Sequence, residues 1–247
     1  MELIHTEHFT VSQMHTDRFE RLTPAALLYF AQEAAGAHCT LLGVDQPFLA
    51  SKGLFWALSR VKAEITRLPR LGETVTVKTW PMPTTRVAYP RAVVAEDENG
   101  NVLFRVVSLW VLMDIVTRAM ILPGQSGVEV AGQLTGNELT VPRAVALQTA
   151  QNHTTRTVGF TLLDRNGHMN NTRYMDWVCD LLHSDFYETH TMRGFTVCYL
   201  NEAREQDTLS LDFDVSNDGI LTVGAHKKDR DEEKRIFAAQ VFFDSFL

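Results

Sequence analysis

The stretch LLDRNGHMNNTRYMDWVCDLL, which begins at Leu162, sets an acid, an amide and an imidazole at alternate positions: Asp164, Asn166 and His168. In an extended segment alternate side chains share a face, so the three would project together. Two asparagines follow, and then an apolar helical pattern begins. A helix start offers unpaired N–H groups and a partial positive charge. Such a set could bind and polarise a carbonyl group. The same residues also have a plain structural reading, since Asp and Asn before a helix commonly cap it.

The elements that must position these groups occur twice. TRLPRLGETVTV from Thr66 aligns with LNEAREQDTLSL from Leu200 at an offset of 134 residues. FTVSQMHTDRFERLTPAALLYFAQEAA aligns with FTLLDRNGHMNNTRYMDWVCDLL at an offset of 147, with Asp17-Arg18 on Asp164-Arg165. A third match joins NVLFRVVSLWVLMD, ending at Asp114, to EKRIFAAQVFFD, ending at Asp244. Each follows a polar turn, EDENGN or KKDRDEEK, as in a hairpin. Three matches in one order imply an internal duplication. Only the second copy carries Asn166, His168 and Glu202; the first has Phe19, Arg21 and Leu68 in their places.

Each copy reads as a short strand, a helix and several long strands, an α+β arrangement. Thr23-Pro24 predicts the start of a helix that runs to about Leu42. Tyr174, Trp177, Val178, Leu181 and Leu182 form the i, i+3, i+4, i+7, i+8 stripe of a second helix buried on one face. Such a helix buries its stripe against the concave side of an antiparallel sheet. Residues 124–153, rich in Gly and small polar side chains, read as a linker between units at 1–123 and 154–247.

The chain has 247 residues, 45% hydrophobic and 21% charged, with a net charge of -7. This balance argues against nucleic-acid binding driven by overall charge. No apolar run approaches the roughly 20 residues of a membrane helix. The three cysteines, Cys39, Cys179 and Cys198, have no metal-ligand spacing, and no secretory signal is read at the start. A reduced, cytoplasmic protein without metal or cofactor is expected.

DRNGHMNNTRYMDW resembles the D-x-N-x-H-[VM]-N-N-x-x-Y signature of acyl-acyl carrier protein thioesterases, the plant plastid enzymes and their bacterial relatives. YLNEAREQDTL resembles the strand that follows in that family. DRFERLTPAALLYFAQEAA, LFWALSRVKAEITRLPRLGETVTVKTWP and VSLWVLMDIVTRAMILP resemble its first half, so the similarity runs over roughly residues 5–245. The resemblance implies a tandem, or double, hot-dog fold, each unit a helix wrapped by an antiparallel sheet. It also implies that Asp164, Asn166, His168 and Glu202 form the catalytic group. Many plant members carry a cysteine directly after that glutamate, where this chain has Ala203. Cys198, about 13 Å back along a predicted strand, is a poor substitute, so water is the expected attacking group. Glu202 or His168 would be the general base, and their titrations would be coupled.

The implied partner is acyl carrier protein, bearing the acyl thioester. A basic patch for it would draw on Arg67, Arg70, Lys78, Arg86 and Arg91. An acyl-CoA thioesterase with the same site is the near alternative, and a non-catalytic acyl-binding regulator the distant one; the latter is expected to need an output module, for which the segment before Phe9 is too short. At offset 147, Val178, Leu181 and Leu182 correspond to Ala31, Ala34 and Ala35. That loss of side-chain volume marks either closer packing of helix on sheet or an acyl-chain slot in the first half, with Trp56 as a wall. Joined hot-dog units could form a complete monomer, and a homodimer is equally compatible.

Overall fold

The computed structural model describes residues 3–147, 149–229 and 232–245, which fall into two compact units, 1–142 and 143–247. Arg230 and Asp231, in the turn of KKDRDEEK, lie outside the described residues. Among the described residues no helix is long and apolar enough to cross a membrane.

In the first unit, β1 (His5–Thr10) leads to α1 (Pro24–Leu41), α2 (Gln46–Ser51), β2 (Leu54–Ile65), β3 (Thr74–Pro81), β4 (Tyr89–Glu96), β5 (Val102–Asp114), the short β6 (Met120–Ile121) and α3 (Pro123–Ser126). Thr23 Oγ1 accepts the Ala26 N–H at 3.1 Å, and Pro24 occupies the first turn, where its missing N–H is harmless. The helix stops at Leu42, followed by Gly43 at φ +69°. Its buried residues include Leu27, Phe30, Ala31, Ala34, Ala35 and His38. It packs on β1 and β3 of an antiparallel sheet ordered β1–β3–β4–β5–β2.

Every residue of β4 from Tyr89 to Ala95 is buried, so both faces of this strand are covered. On one of them Trp80, Met82, Ala92, Val94 and Val107 cluster with Leu139. The chain from 124 to 142 is therefore part of the first unit, although its composition resembles a linker. Gly132 explains how it fits: a Cβ there would lie 2.2 Å from the Met82 carbonyl oxygen. Gln133 N–H donates to the Pro81 carbonyl at 3.0 Å, and the Trp80 indole donates to Glu138 at 3.0 Å. Polar composition marks a strap that hydrogen-bonds as it crosses the sheet.

The second unit contains β7 (Asn152–Thr157), α4 (Arg173–Cys179), α5 (Ser184–Thr189), β8 (His190–Tyr199), β9 (Thr208–Val215), β10 (Ile220–Asp229) and β11 (Glu232–Ser245). Its antiparallel order is β7–β9–β10–β11–β8. This is the first unit's order, with β7, β9, β10, β11 and β8 in the places of β1, β3, β4, β5 and β2. The repeat extends to single hydrogen bonds. Val11 N–H donates to Glu73 O as Val158 N–H does to Asp207 O, both at 2.9 Å; Leu22 to Pro69 repeats as Met169 to Ala203, both at 2.8 Å.

Two expectations change. Ile65 pairs with Phe104 and Tyr199 with Phe237, so Phe104 corresponds to Phe237. Aligning the closing strands on Asp114 and Asp244 gives a different register; the bulges at Leu58/Arg60 and Phe242/Phe243 fall at matching places in the two units and leave the correspondence unchanged, Trp110 facing Leu58 as Phe243 faces Met192. The second helix is also shorter than its apolar stripe. Tyr174, Trp177 and Val178 are buried on α4, but the helix ends at Cys179. Leu181 and Leu182 are half-buried beyond it, their N–H groups reaching back three residues to Val178 and Cys179. Tyr187 on α5 donates to the Cys179 carbonyl at 2.8 Å and lies 6.0 Å from the Phe243 ring, which stabilises the bend.

Candidate active site

Residues 164–168 form a tight turn rather than an extended segment. Asp164 N–H donates to the His168 carbonyl at 2.7 Å, and Gly167 takes φ +75°. Asp164 Oδ1 accepts the N–H groups of Asn166 at 2.7 Å and His168 at 3.2 Å. Asp164 therefore holds the turn rather than the helix start. Asn170 serves the helix, its Oδ1 accepting from Thr172 N–H at 2.9 Å. At seven residues, α4 supplies only a weak dipole.

The turn is tied to the loop after β8. Met169 N–H donates to Ala203 O, and His168 forms an isolated bridge with Arg204. This places His168 Nε2 3.0 Å from Glu202 Oε2. His168 is mostly enclosed, with 12% of its side chain exposed, against 36% for Glu202. Arg204 Nη2 lies 3.6 Å from the same Glu202 oxygen. Asn166 is exposed at the turn tip, its amide nitrogen a long 3.5 Å from Asp164 Oδ2.

The first unit shows the same backbone without this pair. Asp17 Oδ1 accepts from Phe19 N–H at 2.8 Å and Arg21 N–H at 3.0 Å, and Arg21 Nε bonds Asp17 Oδ2 at 3.0 Å. The Arg21 guanidinium lies 4.5 Å from the centre of the Phe19 ring. That turn is closed by an ion pair and a cation–π contact. In the second unit His168, the equivalent of Arg21, pairs instead with Glu202, whose equivalent is Leu68.

Tyr174 was read from sequence as core packing, and it is buried. Its hydroxyl also hydrogen-bonds the backbone of Ala203, beside Glu202, and burial raises the phenol's pKa, with nearby carboxylates adding to the rise. Tyr199 donates to the Asn171 carbonyl at 2.9 Å. These bonds fix the helix start to the loop carrying Glu202. The position of Tyr174 in the N-N-x-x-Y run was the available signal for its role; Arg204 had none.

Cys198 is buried, with Sγ 3.4 Å from Val145 N and 3.9 Å from Arg143 O. Among the described residues no group of three or more His, Cys, Asp or Glu could hold a metal. A cleft of about 750 Å³ lies on β9, β10 and β11 beside Ala146, Leu147 and Thr149, lined by Asp212, Thr222, His226 and Glu233 among others, and it includes none of Asp164, Asn166, His168 and Glu202.

Of the basic residues expected on a docking patch, Arg91 is a correction: it is 6% exposed. Its position on the fully enclosed β4 turns the guanidinium inward, to His38 Nδ1 at 3.1 Å and Thr79 Oγ1 at 3.2 Å. Burial lowers its pKa, opposed by Cys39. Arg67 pairs with Glu73 at 2.8 Å and Lys78 with Glu96 at 2.7 Å; Arg70 and Arg86 are exposed. Trp56 is half-buried, its indole donating to Val44 O at 3.0 Å and its ring edge-on to Tyr89. Ala31, Ala34 and Ala35 are buried on α1.

Two sheet-and-helix units with one repeated strand order make a double hot-dog protein, and at the repeated turn the second unit alone carries a histidine–glutamate pair. Residues 2–122 match the acyl-ACP thioesterase N-terminal domain and residues 146–243 the C-terminal domain. The chain belongs to the acyl-ACP thioesterase family. It is 24% identical over 225 residues to a chloroplastic palmitoyl-acyl carrier protein thioesterase of Gossypium hirsutum, covering 84% of this chain and 54% of that protein. It is 24% identical over 216 residues to the chloroplastic acyl-[acyl-carrier-protein] hydrolase FATB3 of Cuphea viscosissima, covering 81% and 52%. The chain thus spans about half the length of these curated relatives. The crystal structure of an acyl-ACP thioesterase from Bacteroides thetaiotaomicron superposes with a TM-score of 0.87 at 26% identity, covering 98% of both chains. The 12:0-ACP thioesterase of Umbellularia californica gives 0.83 at 22%, covering 100% and 99%, and supports the fold.

Proposed function

We propose that the protein hydrolyses the thioester of acyl-acyl carrier protein to a free fatty acid and the carrier thiol. The observation that carries this reading is the 3.0 Å His168–Glu202 pair, built on a turn whose copy in the first unit has Arg21 and Leu68 instead. Family membership supports the substrate class.

In this reading the His168–Glu202 pair takes a proton from water as its oxygen attacks the thioester carbonyl. The new C–O bond forms, the oxyanion collapses and the C–S bond breaks. The leaving thiolate has a solution pKa near ~8.5 and needs little help, and the proton held by the pair returns to it. Asn166, at the exposed tip, is placed to orient the carbonyl or the water. Asp164 acts through the turn it braces. The buried Cys198 is not the nucleophile. The acyl chain lies against the alanine face of α1 (Ala31, Ala34 and Ala35), near Trp56, and the carrier docks on exposed basic residues of the first unit. An acyl-CoA thioesterase would use the same group.

The test is hydrolysis of matched acyl-carrier and acyl-CoA substrates by the wild type and by Glu202→Gln, His168→Ala and Cys198→Ser. Wild-type turnover should fall by roughly a hundredfold or more in the first two variants and little in the third. Near-normal turnover in a folded Glu202→Gln variant would remove that residue from the mechanism, and absence of wild-type turnover on either substrate would remove the reading.

A further inference from the structure

Arg204 stands beside the histidine–glutamate pair without a role in the reaction just described. We propose that it is a positioning residue, whose guanidinium holds the Glu202 carboxylate in the orientation that meets His168. This rests on the reading of His168 and Glu202 as the proton-transfer pair.

Three observations place it there. Arg204 Nη2 addresses Oε2 at 3.6 Å, the oxygen that His168 Nε2 also addresses, at 3.0 Å. The two contacts therefore act on one rotation of the carboxylate. Arg204 is itself anchored by its backbone: its N–H donates to Asp207 Oδ2 at 2.8 Å, and it bridges to His168. Asp207, the nearby competing acid, is already paired with the Lys227 ammonium. The ion pair of the Arg204 side chain is with Glu202, although its charge also helps to lower the Asp207 pKa.

The first unit is the internal contrast. Arg70 occupies the matching bridge, opposite Arg21, but Leu68 stands where Glu202 would be. An arginine at this place in the loop has a carboxylate to hold only in the second unit. The side chain of Arg204 is 62% exposed, so water and salt weaken the contact and its effect should be modest.

The experiment uses the full chain with a saturating acyl thioester substrate, comparing Arg204→Ala and Arg204→Lys, each also combined with Glu202→Gln, after circular dichroism and thermal unfolding confirm folding. Arg204→Ala should lower kcat about fivefold and leave KM unchanged. Arg204→Lys should restore most of the loss, since it keeps the charge at nearly the same reach. Added salt should narrow the gap between wild type and Arg204→Ala. In the Glu202→Gln background Arg204→Ala should have no further effect. A rise in KM at constant kcat, an unchanged kcat, no rescue by Lys, or an equal loss in the Glu202→Gln background would each overturn the proposal. Near-normal turnover by Glu202→Gln alone would instead overturn the underlying reading of the site.

Discussion

The two copies of one turn let side-chain chemistry be separated from backbone geometry. Asp17 and Asp164 accept the same pair of backbone N–H groups. Glu20 and Gly167 occupy the same left-handed position, at φ 59° and 75°. A side chain there is strained by about 1 kcal/mol relative to glycine. Gly167→Ala should therefore lower stability by about that amount and reduce turnover, because His168 is the next residue. Glu20→Gly should raise stability by a similar amount and leave turnover unchanged. Thermal unfolding with a hydrolysis assay checks both; a fall in activity from Glu20→Gly would mean that the first turn also serves the reaction. Asn166, His168 and Glu202 stood out because they break the repeat, whereas Asp164 keeps its counterpart Asp17. The turn itself was misread, although its signal was present: Asn166-Gly167 is a turn dipeptide, and alternation of polar residues does not by itself make a strand.

At the scale of elements, the duplication was legible because buried positions recur at fixed offsets, 147 before the helices and 134 after them. What escaped were features that periodicity does not encode. An apolar stripe continued to Leu182 although the helix stops at Cys179, and a polar segment turned out to strap the first unit. Glu138 anchors that strap. Burial alone would raise its pKa, but N–H groups, chiefly that of Thr135, the Thr135 hydroxyl and the Trp80 indole hold it down, to about 2. A carboxylate depressed on folding stabilises the folded state above its unfolded pKa of about 4.5 and loses that effect as pH falls towards 2. Glu138→Gln should cost about 1–2 kcal/mol at pH 7. The difference from wild type should shrink between pH 4.5 and 2. Equal stability of the two proteins at pH 7 would count against the clasp.

The same comparison of elements bears on the acyl chain. Of the three paired positions, Ala31 and the buried Val178 remain equivalent, while Leu181 and Leu182 lie beyond the end of α4. Ala34 and Ala35 nevertheless stay buried on a helix that continues to Leu41. Ala34→Leu adds three carbons to that face. If the acyl chain lies there, the product profile should move to shorter fatty acids with activity on short substrates retained. An unchanged profile from a stably folded variant would place the chain elsewhere.

For the whole molecule, the open question is how a chain with a net charge of -7 would hold an acidic carrier. Overall charge opposes the encounter, so recognition must be local. The five basic residues named from sequence are not equivalent once folded. Arg91 is buried, Arg67 is bound by Glu73 through both carboxylate oxygens, and Lys78 is held by Glu96. Exposed Arg70 and Arg86 are the better candidates. Reversing either charge should raise KM for acyl carrier protein about tenfold, since like charges then meet at the contact. The matched acyl-CoA substrate should be affected far less if the patch reads the carrier's surface rather than the thioester. The effect should fade as salt approaches ~1 M, where charges more than about 3 Å apart are screened. Measuring KM for both substrates in Arg70→Glu and Arg86→Glu at low and high salt decides it. Equal losses on the two substrates, or no loss on the carrier, would move the docking surface away from these residues.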